Sequence, residues 1–201
     1  MLTIYSDPRG VDSHQIRCVI GEKNVAIDIV DAELANLPED VADVNPYASL
    51  PTLVDRDLAL YFPHVIMEYL DERFPHPPLM PIDPIDRARA RANVRQTQVD
   101  LYAPLKVILD NPGTKIADQA RDLLTARITQ RLPVLGAKKF YLSDEVTLAD
   151  CSIVPLLWRL PSVGIEFPRQ ARYKALHDYC DRMFLRPSFR SSLTEFEREM
   201  R

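Results

Sequence analysis

Between positions 75 and 84 the chain reads PHPPLMPIDP, five prolines in ten residues. Proline lacks a backbone N–H and fixes φ, so neither a helix nor a central strand runs through this stretch. The chain must fold as one body before it and another after it, and the two sides differ in kind. Upstream, strand-like and helix-like patterns alternate. Leu2–Ser6 is a short β-type run, and Asp12 with Gln15 forms a capping-box signature for a helix whose apolar face carries Ile16, Val19 and Ile20. Residues 25–30 read as a second strand and 37–44 as a short helical turn begun at Pro38. Residues 52–54 and 58–61 flank Asp55-Arg56-Asp57 as a hairpin, and a helix over Pro63–Arg73 puts Ile66, Met67 and Leu70 on its core face. The order is β-α-β-α-β-β-α. Downstream the pattern is helical only: from Pro84 to about 110, broken by Asn111-Pro112-Gly113, then from Thr114 to about 132, and again near 148–160, 171–184 and 188–199.

Charge divides at the same place. Residues 1–82 hold 5 Lys+Arg against 14 Asp+Glu, a balance of −9, and residues 83–201 hold 20 against 15, a balance of +5. An acidic first part repels phosphate and the second lacks a clustered basic footprint, so direct sequence-specific nucleic-acid binding is not expected and macromolecular partners are expected to be proteins. No apolar run approaches the roughly 18 residues of a membrane span, and the start MLTIYSDPRG lacks the features of a secretory signal, which sets a cytoplasmic expectation. Cys18, Cys151 and Cys180 are dispersed, as are His14, His64, His76 and His177, so no disulfide framework, metal site or cofactor is expected.

A βαβαββα unit followed by a helical unit, α/β plus all-α, is similar to the glutathione S-transferase fold, in which a thioredoxin-like domain precedes a helical bundle. The resulting division is residues 1–74 for the first domain, 75–83 for a proline-rich linker and 84–201 for the second. Two local signals accompany it. Leu50-Pro51-Thr52 stands where thioredoxin-like proteins carry a cis-proline before the hairpin. Thr147-Leu148-Ala149-Asp150 is a capping box, with Val146 and Cys151 placed as a hydrophobic staple, and its role is to stabilise the fold.

A glutathione transferase lowers the pKa of a bound thiol with a Tyr, Ser or Cys near the end of the first strand or the start of the first helix. The candidates are Tyr5, Ser6 and Ser13. Tyr5 reads as packed on its strand and Ser13 as part of the first helical turn, so no catalytic residue is assigned. There is no cysteine in this loop, which removes thioredoxin-type redox chemistry. At the start of the third helix, glutathione-binding relatives have an acidic residue followed by Ser or Thr; this chain has Phe62-Pro63-His64. Phe62 cannot pair with an ammonium, and Pro63 offers neither hydroxyl nor N–H to a carboxylate. Asp71-Glu72 and Asp55/Asp57 read as solvated carboxylates, and Arg87, Arg91 and Arg95 as a solvated or dimer-facing stripe. Phosphate-loop, dinucleotide, HExxH and nucleophile-elbow motifs are all absent from the sequence.

The run MEYLDERFPHPPLMP, positions 67–81, resembles the corresponding segment of the stringent starvation protein A family. So do SHQIR (13–17) with GEK (21–23), Asn45-Pro46, PTLVDR (51–56), YLSDE (141–145), LLWRLP (156–161), GIE (164–166) and EREMR (197–201). The resemblance spans nearly the whole chain, loosest between 94 and 136. It implies a cytoplasmic homodimer without transferase activity that regulates bacterial transcription in the stress response. It also implies contact with RNA polymerase and its housekeeping sigma factor through a surface at Pro75, His76 and Pro77, with Pro78 beside them. Consecutive prolines fit such a role, because a stiff surface has little entropy to lose on binding. Family members often keep Glu-Ser where this chain has Phe62-Pro63. A glutathione-dependent enzyme and a transferase-like adaptor for some other protein are the alternatives.

Overall fold

The computed structural model describes residues 2–201, which form two compact units. The first contains the described residues up to Pro78 together with Pro187–Glu199; the second contains Leu79–Arg186 with Met200 and Arg201.

In the first unit β1 (Leu2–Ser6) is a central strand, with β2 (Asp28–Asp31) parallel on one side and β3 (Thr52–Asp55) antiparallel on the other. β4 (Leu58–Leu60) lies beyond β3, giving the order β2-β1-β3-β4. Ile4 pairs with Leu53, and both side chains are fully buried. Asp55 pairs with Leu58, so the hairpin loop is the two residues Arg56 and Asp57, with Arg56 at φ 57° as a tight turn of this type requires. α1 (Val11–Lys23) packs against α3 (Pro63–Arg73), burying Ile16, Val19 and Ile20 on one and Ile66, Met67 and Leu70 on the other. The short α2 (Glu39–Val44) starts after Pro38, and the Leu50–Pro51 peptide is cis.

Three local expectations change. β2 begins at Asp28 rather than 25. α1 begins at Val11 with Gly10 as its cap, so Asp12 lies inside the first turn and its carboxylate accepts from the Gln15 side-chain amide at 2.9 Å instead of closing a capping box. The tail at 188–199 is two short helices, α9 (Pro187–Ser192) and α10 (Glu195–Arg198), which belong with the first unit rather than with the helices at 84–186. The cause is local fit and charge. α9 lies so close on α1 that a Cβ on Gly21 would stand 2.4 Å from the Ser188 carbonyl oxygen. Glu197, fully buried, bonds the Arg17 guanidinium of α1 at 2.6 Å.

The second unit is helical. α4 (Pro84–Thr97) opens on Asp83, whose carboxylate accepts the N–H groups of Ile85 and Asp86 at 2.9 and 3.1 Å, with Pro84 at the first helical position. A wide π-type turn over Gln98–Tyr102 joins it to α5 (Ala103–Asp110). α6 (Lys115–Leu135), capped by Thr114, packs on α5, and α4 packs on α7 (Leu148–Arg159), which also contacts α8 (Lys174–Phe184). α7 is buried along nearly its whole length. The Thr147/Asp150 box is formed: the Asp150 carboxylate accepts from the Thr147 N–H (2.9 Å) and hydroxyl (3.2 Å), the Tyr141 N–H (2.8 Å) and the Tyr179 hydroxyl (2.8 Å). Burial pushes this carboxyl up to about 6, against the pull of all four donors. No helix among the described residues is long and apolar enough to cross a membrane.

Counted by unit, charge separates further than along the sequence. The first unit holds 7 Lys+Arg against 17 Asp+Glu, net −10, and the second 18 against 12, net +6.

Candidate functional site

Of the three candidate hydroxyls, those of Ser6, at the end of β1, and Ser13, in the first turn of α1, are occupied in holding the fold. Ser6 is fully buried and its Oγ accepts from Arg17 Nη1 at 2.6 Å. Arg17 also donates through Nε to the Ser192 carbonyl at 2.9 Å and pairs through Nη2 with Glu197. His14 approaches the same Glu197 oxygen at 3.3 Å and the Ser192 hydroxyl at 3.0 Å. Ser13, also buried, accepts the Asp7 N–H at 2.9 Å, while Tyr5 is half-buried and pairs with Thr52 across the sheet. Burial pushes the thiols of Cys18 and Cys180 up to about 12, so neither is a thiolate at neutral pH. Among the described residues no group of three or more His, Cys, Asp or Glu could hold a metal ion.

The start of α3 is apolar. Phe62 is its cap and makes no side-chain capping bond; Pro63 follows as the first helical residue, and the Val65 and Ile66 N–H groups turn back to the Phe62 carbonyl. Phe62 is 46% exposed, its ring 5.0 Å from Tyr61, 5.6 Å from Tyr47 and 6.1 Å from His64. An aromatic surface therefore stands where a first-turn anion site needs donors. His64 is a member of that cluster.

At the other end of α3, Pro75, His76, Pro77 and Pro78 are all exposed, and the His76–Pro77 peptide is cis. Their support comes from a charge that sequence reasoning missed. Lys23, the last residue of α1, has a fully buried side chain whose Nζ lies 2.5 Å from Asp71 Oδ1 and 2.5 Å from the Pro77 carbonyl oxygen, with the Asp71 carbonyl at 3.5 Å. Asp71 is thus not a solvated carboxylate, although its neighbour Glu72 is exposed. A signal was present in the spacing: Asp71 follows Met67 by four residues and so continues the buried face of the helix. Asp55 is also bonded, accepting from the Tyr69 hydroxyl at 2.6 Å, which holds its carboxyl below the usual range. In the second unit, Arg91 and Arg95 are exposed and Arg87 is half-exposed.

Residues 5–78 match the family described as "Glutathione S-transferase, N-terminal domain", and residues 96–187 match "Glutathione S-transferase, C-terminal domain". A protein of Coxiella burnetii named stringent starvation protein A homolog is 45% identical over 202 residues, covering 100% of this chain and 95% of that one. A homolog of the same name from Haemophilus ducreyi is 40% identical, covering 96% of this chain and 90% of that one. Among solved structures, a delta-class glutathione transferase of Nilaparvata lugens superposes with a TM-score of 0.88 over 100% of this chain and 96% of its own, at 19% identity, a likeness of fold alone.

Proposed function

The chain belongs to the stringent starvation protein A family, built on the glutathione S-transferase fold, and from that premise we propose that it is a non-enzymatic bacterial transcription regulator. It binds RNA polymerase holoenzyme, including the housekeeping sigma factor, through the surface at Pro75, His76, Pro77 and Pro78. The observation that carries this reading is the segment itself: four consecutive exposed residues, three of them proline, lying over a buried ion pair. A surface already ordered loses little conformational entropy when a partner covers it.

The non-enzymatic part rests on chemistry. Ser6 and Ser13, both buried, are engaged in hydrogen bonds within the fold. The α3 terminus carries Phe62 and Pro63 in place of an acid and a hydroxyl. The protein acts in the cytoplasm as a homodimer, with the acidic first unit of one copy facing the basic second unit of the other, an arrangement that the −10 and +6 balances favour.

The test is affinity purification of the tagged chain from its native cell. Polymerase core subunits and the housekeeping sigma factor should co-elute with it; an eluate free of every polymerase subunit removes the proposal.

A further inference from the structure

Residues 75–78 have an uncommon hydrogen-bonding inventory. Pro75, Pro77 and Pro78 have no N–H, so the segment carries four carbonyls and a single backbone donor, that of His76. Such a segment is fixed by donors pointed at its carbonyls far more readily than by pairing with another strand. The structure supplies one such donor, and it is charged.

Lys23 is the last residue of α1, and its stem runs inward so that the ammonium is shielded from solvent. An ammonium withdrawn from water is tolerated only where an anion and further acceptors replace its hydration. Here the anion is Asp71, in the last turn of α3, and the further acceptors are the Asp71 and Pro77 carbonyls. The three N–H donors of the ammonium thus meet three acceptors drawn from α3 and the proline segment. α1 packs on α3, so the ammonium projects from a rigid base.

We propose that Lys23 is the positioning residue of the partner-binding surface: its ammonium, balanced by Asp71, holds the Pro77 carbonyl and so fixes the orientation in which His76 and its flanking prolines are presented. The proposal rests on the reading of that surface given above, and it adds a residue that never touches the partner.

The variant that tests it is K23M/D71L, which replaces the ion pair by apolar side chains and leaves no buried charge behind. Three quantities are measured on the full-length chain: its melting temperature, the imidazole signals of His76 in ¹H–¹³C spectra, and the affinity for purified RNA polymerase holoenzyme. The expected result is a folded protein whose His76 signals shift and sharpen and whose affinity falls about tenfold, since the segment must now be ordered on binding. A role in stability alone would move the melting temperature and leave the other two unchanged. If the double variant fails to fold, K23Q, whose amide is uncharged and one bond shorter than the lysine stem, is read the same way.

A folded variant with wild-type His76 signals and wild-type affinity overturns the proposal. The triple variant P75A/H76A/P77A separates this from failure of the surface reading. If the triple variant retains wild-type affinity, the surface reading is wrong, and the tether is judged on the His76 signals alone: shifted signals uphold it and unchanged signals overturn it.

Discussion

Phe62 and Pro63 decide between them what the start of α3 can hold. Phe62 contributes a ring to a cluster with Tyr47, Tyr61 and His64, and Pro63 takes away the first N–H of the helix. The Val65 N–H is taken as well, turning back to the Phe62 carbonyl at 2.9 Å. Glutathione at millimolar concentration should accordingly give no heat of binding in titration calorimetry, and a dissociation constant in the micromolar range would show that the α3 terminus still holds it. These two residues were legible from the sequence because their effect is local: one lacks a charge and the other lacks a proton. For Asp71 the spacing signals burial only, and the pairing of Lys23 with Asp71 was not legible. Their meaning depends on a contact across 48 positions of sequence, and only the packing of α1 on α3 brings them together beneath Pro77.

Among the elements, helices whose signals lie at their own ends are legible in the sequence. α3 begins at its proline and α7 behind the Thr147/Asp150 box, as the sequence implies. α1 starts ahead of Asp12, whose carboxylate takes up the Gln15 side-chain amide, with Gly10 as the cap. Helical patterning says nothing about which body a helix joins, and the tail at Pro187–Glu199 belongs with the first unit. What joins it is Glu197, whose carboxylate serves Arg17 and His14 through one oxygen and the Thr194 N–H through the other. Removing the anion strands a buried guanidinium, so Glu197→Ala should cost about 3–5 kcal/mol of stability in urea unfolding. Glu197→Gln should cost less, because an amide oxygen still accepts the Thr194 N–H and completes the α10 capping box. Equal stability of wild type and E197A would show that the tail is held by its apolar contacts instead.

At the scale of the whole molecule, the proline-rich segment read first as a break in secondary structure proves to hold the exposed surface proposed for the partner as well. The order of strands and helices on either side was legible because hydrophobic periodicity changes across the break. The sharper charge separation, −10 against +6, became visible only once the tail was counted with the unit it packs on. That separation supports the proposed pairing of unlike units between two copies. Sedimentation at micromolar concentration should give a dimeric mass that added salt weakens only in part, because such interfaces also have an apolar centre; a monomer would contradict the pairing. Whether polymerase binds at the surface of Pro75, His76 and Pro77 is decided by co-purification with wild type and with the P75A/H76A/P77A variant. These residues lie outside every regular element and are exposed, so their truncation opens no cavity and circular dichroism should be unchanged. The folded triple variant should lose polymerase from the eluate; retention at the wild-type level would place the binding surface elsewhere.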